Sequence, residues 1–160
     1  AANLEVIKNE NIVQETRVRQ ALKQIEEYYD YCIIDNAPDI NISTINALVA
    51  SDEVIIPVKI DDFGFDGLKE LITQINNTRL SLNEKLVFRG CFITQYVRNE
   101  VNKQGEEWLK EQNEYPVFDT HIRRTEKIDE STFAKMPINL YSKRCGAAVD
   151  YKRLVAEYLS

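Results

Sequence analysis

At 160 residues the chain is long enough for one ordinary domain with a single core and too short for two comfortable ones. Hydrophobic residues make up 44% and charged residues 29%, and no apolar run approaches the ~20 residues of a membrane span, so membrane-spanning, collagenous and wholly disordered chains are excluded. The net charge of -6 argues against a globally basic nucleic-acid binder, although a local basic patch still binds phosphate.

Val18, Leu22, Ile25 and Tyr29 recur at helical spacing and predict an amphipathic helix over 15–29, preceded by a short strand over 4–7. Tyr31-Cys32-Ile33-Ile34 is a continuous apolar run ending at Asp35 and a Pro38 turn, the pattern of a strand buried on both faces. Helices are predicted over 43–50 and 66–80, with a β-branched strand over 53–60 between them. A strand over 86–95, a helix over 100–112, a short strand over 117–122 and a closing helix over 147–159 complete the chain. This alternation predicts an α/β fold: a single domain, 1–160, with a largely parallel sheet flanked by helices through right-handed crossovers. Ligands of such sheets sit at the carboxyl ends of strands, which directs attention to Asp35, Pro57, Thr94 and the loop after Ile122.

The five glycines, Gly64, Gly67, Gly90, Gly105 and Gly146, are never adjacent and none precedes a lysine. Neither a G-x-x-x-x-G-K-[ST] phosphate loop nor a G-x-G-x-x-G turn is present in these residues. Cys32, Cys91 and Cys145 lack C-x-x-C spacing and lie in or beside apolar segments, as buried thiols of a reducing compartment do. The chain opens Ala1-Ala2 and its single methionine is Met136, which reads as a fragment or processed product. His121 has no metal-ligand spacing around it and Trp108 sits on a helix beside Leu109, so both read as structural.

A strand of apolar residues ending in Asp is what a nucleotide-hydrolysing site asks of a central strand, because a rigid carboxylate at the sheet edge orders the water shell of a phosphate-bound Mg²⁺. Taken alone, the same pattern fits an ordinary strand whose Asp35 caps the next turn. The surrounding text is more specific. After Asp35 and Pro38 come Thr44 to Leu48 as T-x-N-A-L, Ser51 to Val58 close to A-D-E-V-x-I-P-V, and Phe63 to Leu68 as aromatic-x-x-x-G-L. Further on stand Phe92 to Tyr96, then Val117 to Arg124 close to F-x-T-x-I-P-R, and Ala148, Tyr151 and Leu154. In spacing throughout, the chain resembles the ParA/Soj/MinD family of deviant-P-loop partition ATPases.

That resemblance implies a P-loop NTPase-like sheet of which this chain is the C-terminal portion, without the first strand and its phosphate loop. It implies that Asp35 organises Mg²⁺ through water, that Pro38 shapes the turn beneath the phosphates, and that Thr94, Tyr96 and Arg123 flank the nucleotide base. Ala37 and Asn41 depart from the family's usual Pro and Gly, and Arg123 from its usual Pro. Arg123, Arg124 and Lys127 form a local basic stretch, which is either a solvated charged turn or, as the resemblance implies, a contact to non-specific DNA. For the whole protein it implies Mg-ATP binding, a homodimer, a centromere-binding ParB-like partner and a cytoplasmic, nucleoid-associated place; no membrane role is expected, because the closing helix over 147–159 is short and its Tyr151, Leu154, Val155 and Tyr158 suit core packing. The implied function is plasmid or chromosome segregation. The chain alone is expected not to hydrolyse ATP, since a phosphate loop supplies most of the phosphate binding. It is also expected to associate, because a sheet short of a strand exposes its edges. The other reading is a non-catalytic DNA- or protein-binding remnant of the family.

Overall fold

A computed structural model describes residues 16–37, 40–112 and 115–160, with the side chains of 62–64 and 66 outside the description. The predicted strand over 4–7, the start of the helix over 15–29, and Pro38 lie outside the described residues. The chain divides into two compact units: Ala1–Val54 with Lys69–Phe88, and Ile55–Leu68 with Arg89–Ser160.

In the first unit, α1 (Arg17–Leu22) is followed by a single 3-10 turn, Glu26–Tyr28. It packs on α2 (Ile42–Ala50) yet buries none of its own residues, and a helix that gains so little burial stays short. Asn41 starts α2: its Oδ1 accepts the backbone N–H of Ser43 at 2.8 Å and of Thr44 at 3.3 Å. The other end of α2 is closed by a distant residue. Asn83 Nδ2 donates to the carbonyls of Leu48, Val49 and Ser51 at 3.0, 3.3 and 2.8 Å, satisfying groups that the helix itself leaves open. Leu48, Val49, Ile75, Thr78 and Leu86 of this unit are buried.

The strand β1 (Glu53–Lys59), the helix α3 (Asp62–Ser81) and the strand β2 (Val87–Thr94) each contribute residues to both units. Val87 N–H donates to Asp52 O at 2.9 Å, and further along Thr94 Oγ1 donates to Val58 O at 3.4 Å. The pairing therefore advances in the same direction on both strands, which makes the ladder parallel with α3 as its crossover.

The second unit continues with α4 (Glu100–Glu111), α5 (Glu126–Phe133), α6 (Ile138–Tyr141) and α7 (Gly146–Tyr158). Phe92, Ile122, Ala147 and Leu154 form its core, with Phe118, Ile128 and Cys145 packed against them. A Cβ on Gly105 would overlap the side chain of Ile60, so α4 lies tight on the residue after β1, and Trp108 packs its ring 4.7 Å from that of Phe65. Gly90 adopts a φ of +127°, and a Cβ there would meet the Pro116 carbonyl.

Five expectations change. The helix expected over 15–29 is cut to Arg17–Leu22 and a 3-10 turn, and Cys32, read as a buried thiol, is exposed. Segment 31–34 is not a buried strand: Tyr31 is 69% and Ile33 93% exposed. The reason is that an apolar run becomes a strand only beside another, and among the described residues the sheet has two strands, β1 and β2. The strand expected over 117–122 is reduced to isolated parallel bridges to the β2 side, Cys91 with Val117 and Tyr96 with Arg123. The helices α5 and α6 occupy a stretch for which no element was predicted.

Candidate functional site

The described candidate residues fall in both units. Asp35 belongs to the first, where it is exposed in a segment without regular secondary structure. Thr94, Tyr96, Arg123, Arg124 and Lys127 belong to the second and gather where β2 ends. Thr94 is tied to β1 by its bond to Val58 O. Beyond it the chain turns at Gln95, whose φ is 52°, and Tyr96 pairs with the parallel segment. Tyr96 N–H donates to Ile122 O at 3.0 Å and Arg124 N–H to Tyr96 O at 2.9 Å, so Tyr96 and the two arginines are held by backbone. One face of the Tyr96 ring is covered by His121, with centroids 3.8 Å apart, and a stacked base has only the other face to use. His121 Nδ1 is buried and has no hydrogen-bond partner among the described residues.

Two of the three cations of the loop have acidic partners. Arg123 makes a two-armed pair with Asp150, Nε to Oδ2 and Nη2 to Oδ1, both at 2.6 Å, and its backbone N–H adds a third bond at 3.2 Å. Burial would raise the Asp150 carboxyl, but the hydrogen bonds and charge of Arg123 outweigh it and hold the group below the usual carboxylate range. Lys127 pairs with Glu130 at 2.7 Å, and Glu130 also accepts from the Tyr141 hydroxyl at 2.9 Å. Arg124 is exposed, and no described side chain pairs with it. The exposed Lys143 and Arg144 add positive charge just before α7. Thr125 Oγ1 caps α5 by accepting the N–H of Lys127 at 3.3 Å, which ends the loop.

Two residues of this site escaped sequence reasoning, Asp150 and Glu157. Glu157 accepts the backbone N–H groups of Asp119 at 2.6 Å and Thr120 at 2.9 Å, donors that a strand ladder would otherwise use. Their spacing on the closing helix was the available signal, since positions seven apart lie on one face.

Among the described residues no group of three or more His, Cys, Asp or Glu could cage a metal ion. A single exposed carboxylate such as Asp35 fits contact with the water shell of a hydrated Mg²⁺, which binds chiefly to phosphates, and does not fit a closed protein cage. The Cys91 thiol is pushed up to about 11 by burial and is no nucleophile.

Parallel strands joined through a helix, with the candidate groups gathered where β2 ends, define an α/β chain, and the P-loop NTPase-like form of its sheet is what the resemblance to the partition ATPases implies. A solved structure of cobyrinic acid a,c-diamide synthase from Mycobacterium smegmatis, with a bound ATP analogue and magnesium, superposes with a TM-score of 0.76 at 22% identity, over 89% of this chain and 53% of that one. The AAA_31 family model, an AAA domain, matches residues 1–88, and the chain belongs to this family. Among curated relatives, the sporulation initiation inhibitor protein Soj of Bacillus subtilis is 34% identical over 147 residues, 91% of this chain and 58% of that protein. The chromosome-partitioning ATPase Soj of Treponema pallidum is 31% identical over 150 residues, 92% of this chain and 58% of that protein. The family read from the motifs, that of the ParA/Soj-type partition ATPases, is the family of these relatives, and the chain spans under two thirds of their length.

Proposed function

We propose that the protein carrying this chain is a DNA partition ATPase of the ParA type, which binds Mg-ATP and non-specific DNA and acts in chromosome or plasmid segregation. The observation that carries this reading is the likeness to a chromosome-partitioning ATPase across 92% of the chain, well beyond any single motif. A fold shared with an enzyme crystallised with an ATP analogue and magnesium supports the choice of cofactor. Bound Mg²⁺ would neutralise phosphate charge, with Asp35 ordering its water shell. Thr94 and Tyr96 stand at the carboxyl end of β2, the edge at which α/β sheets bind ligands, and support a base contact there. Residues 1–160 contain no phosphate loop, so nucleotide hydrolysis requires groups these residues do not supply. The proposed partners are a second copy of the protein and a centromere-binding ParB-like protein, at the nucleoid in the cytoplasm. No helix among the described residues is long and apolar enough to cross a membrane.

The reading is tested by titrating a fluorescent ATP analogue into the intact protein with and without Mg²⁺. Asp35→Ala is expected to weaken the Mg²⁺-dependent part of binding by about 10-fold or more. Equal affinity in the two proteins would make Asp35 a turn residue and move the assignment to a non-catalytic binding module.

A further inference from the structure

One face of α7 grips the segment beside β2 with two carboxylates. Glu157 takes the N–H groups of Asp119 and Thr120, and one helical face away by seven residues Asp150 takes the backbone and guanidinium of Arg123. The pair is lopsided: the Asp150 side chain is 4% exposed and that of Arg123 50%, so the carboxylate is buried beneath the cation. Gly146 makes room for this arrangement, because a Cβ there would overlap Arg123 Cδ. A guanidinium fork receives a carboxylate and a phosphate through the same two parallel donors. Asp150 therefore occupies the place at which Arg123 would hold a phosphate. Arg124 differs in its side-chain partner: its backbone N–H donates to Tyr96 O at 2.9 Å, and its exposed side chain is unmatched by any described acid.

We propose that Asp150 is a positioning residue that makes Arg123 an internal strut of the loop and leaves Arg124 as its phosphate-reading cation. The second half rests on the DNA-binding reading above; the first is internal to the chain. Two arms of one experiment on the full chain separate them. In the first, exchange of the Arg123 Nε–H with water is followed by NMR at neutral pH. It is expected to be at least 10-fold slower than that of the exposed Arg98, and to lose this protection in Asp150→Asn. Equal rates for Arg123 and Arg98 in the unsubstituted chain would overturn the strut.

In the second arm, binding to a random-sequence DNA duplex is measured against salt. Arg124→Ala is expected to flatten the log-log slope by about 0.9, the loss of one phosphate contact. Arg123→Ala is expected to lower affinity without flattening the slope, since it loosens the loop but removes no phosphate contact. Asp150→Asn is expected to steepen the slope by about 0.9, as the released guanidinium becomes available. A merely structural role would change affinity only downward and leave the slope alone. If Asp150→Asn does not fold, the comparison of Arg123→Ala with Arg124→Ala carries the test. Equal flattening by both arginine substitutions overturns the proposal. Absence of duplex binding by the unsubstituted chain overturns the DNA reading, and the exchange arm then decides the strut by itself.

Discussion

At Asp150 a buried carboxylate stays charged because three donors from Arg123 outweigh the cost of leaving water. Its folded carboxyl lies below the ordinary value of about 3.9, so its contribution to stability is complete above that pH and is lost as pH falls through the folded value. Asp150→Asn should therefore lower the free energy of unfolding at pH 7 by about 1–2 kcal/mol, the range for a charge-assisted bond to a half-exposed partner. Urea unfolding at pH 7 and at pH 3 checks this: the gap between the two proteins should narrow in acid, and a constant gap would assign the loss to shape and not to charge. Of the nearby cations, Lys127 has its ammonium held above its usual range by Glu130, which leaves it less ready than Arg124 to meet another anion.

The helix α2 is closed at its far end by the side chain of Asn83, thirty or more residues along the chain. Asn83→Ala removes a buried amide that serves three carbonyls, and should destabilise the chain by about 1–3 kcal/mol in thermal or chemical unfolding. An unchanged midpoint would mean that water replaces the amide without cost. At this scale the sequence is legible where an element is long and periodic. The helices expected over 43–50, 100–112 and 147–159 are observed as Ile42–Ala50, Glu100–Glu111 and Gly146–Tyr158, and the strands as Glu53–Lys59 and Val87–Thr94. It fails for α5, whose eight residues are mostly polar and whose start is set by the Thr125 cap, and for α6, a single turn after Pro137. It fails differently over 117–122, where the alternation is present but Glu157 takes two of the N–H groups needed for a ladder.

For the whole molecule, exposed apolar surface is the leading consequence of the observed architecture. Tyr28, Tyr29, Tyr31 and Ile33 of the first unit are 77, 67, 69 and 93% exposed, a run of large apolar side chains close in sequence. The 160-residue chain by itself should therefore associate in a concentration-dependent way in sedimentation velocity, and Ile33→Lys should weaken that association. A monomer at concentrations on the order of 100 μM would count against it.

Residue order by itself set the α/β class, the family and the main elements, because helical periodicity, β-branched runs and caps act between residues a few positions apart. It also marked Asp35, Tyr96, Arg123, Arg124 and Lys127 as the groups to inspect. Which of those cations is free was decided only in three dimensions. Arg123 meets Asp150 across 27 residues, and a charge read from the sequence as available for phosphate is matched by a buried carboxylate. The fate of 31–34 was decided in the same way, since the backbone hydrogen bonds that make a strand belong to its neighbour as much as to itself.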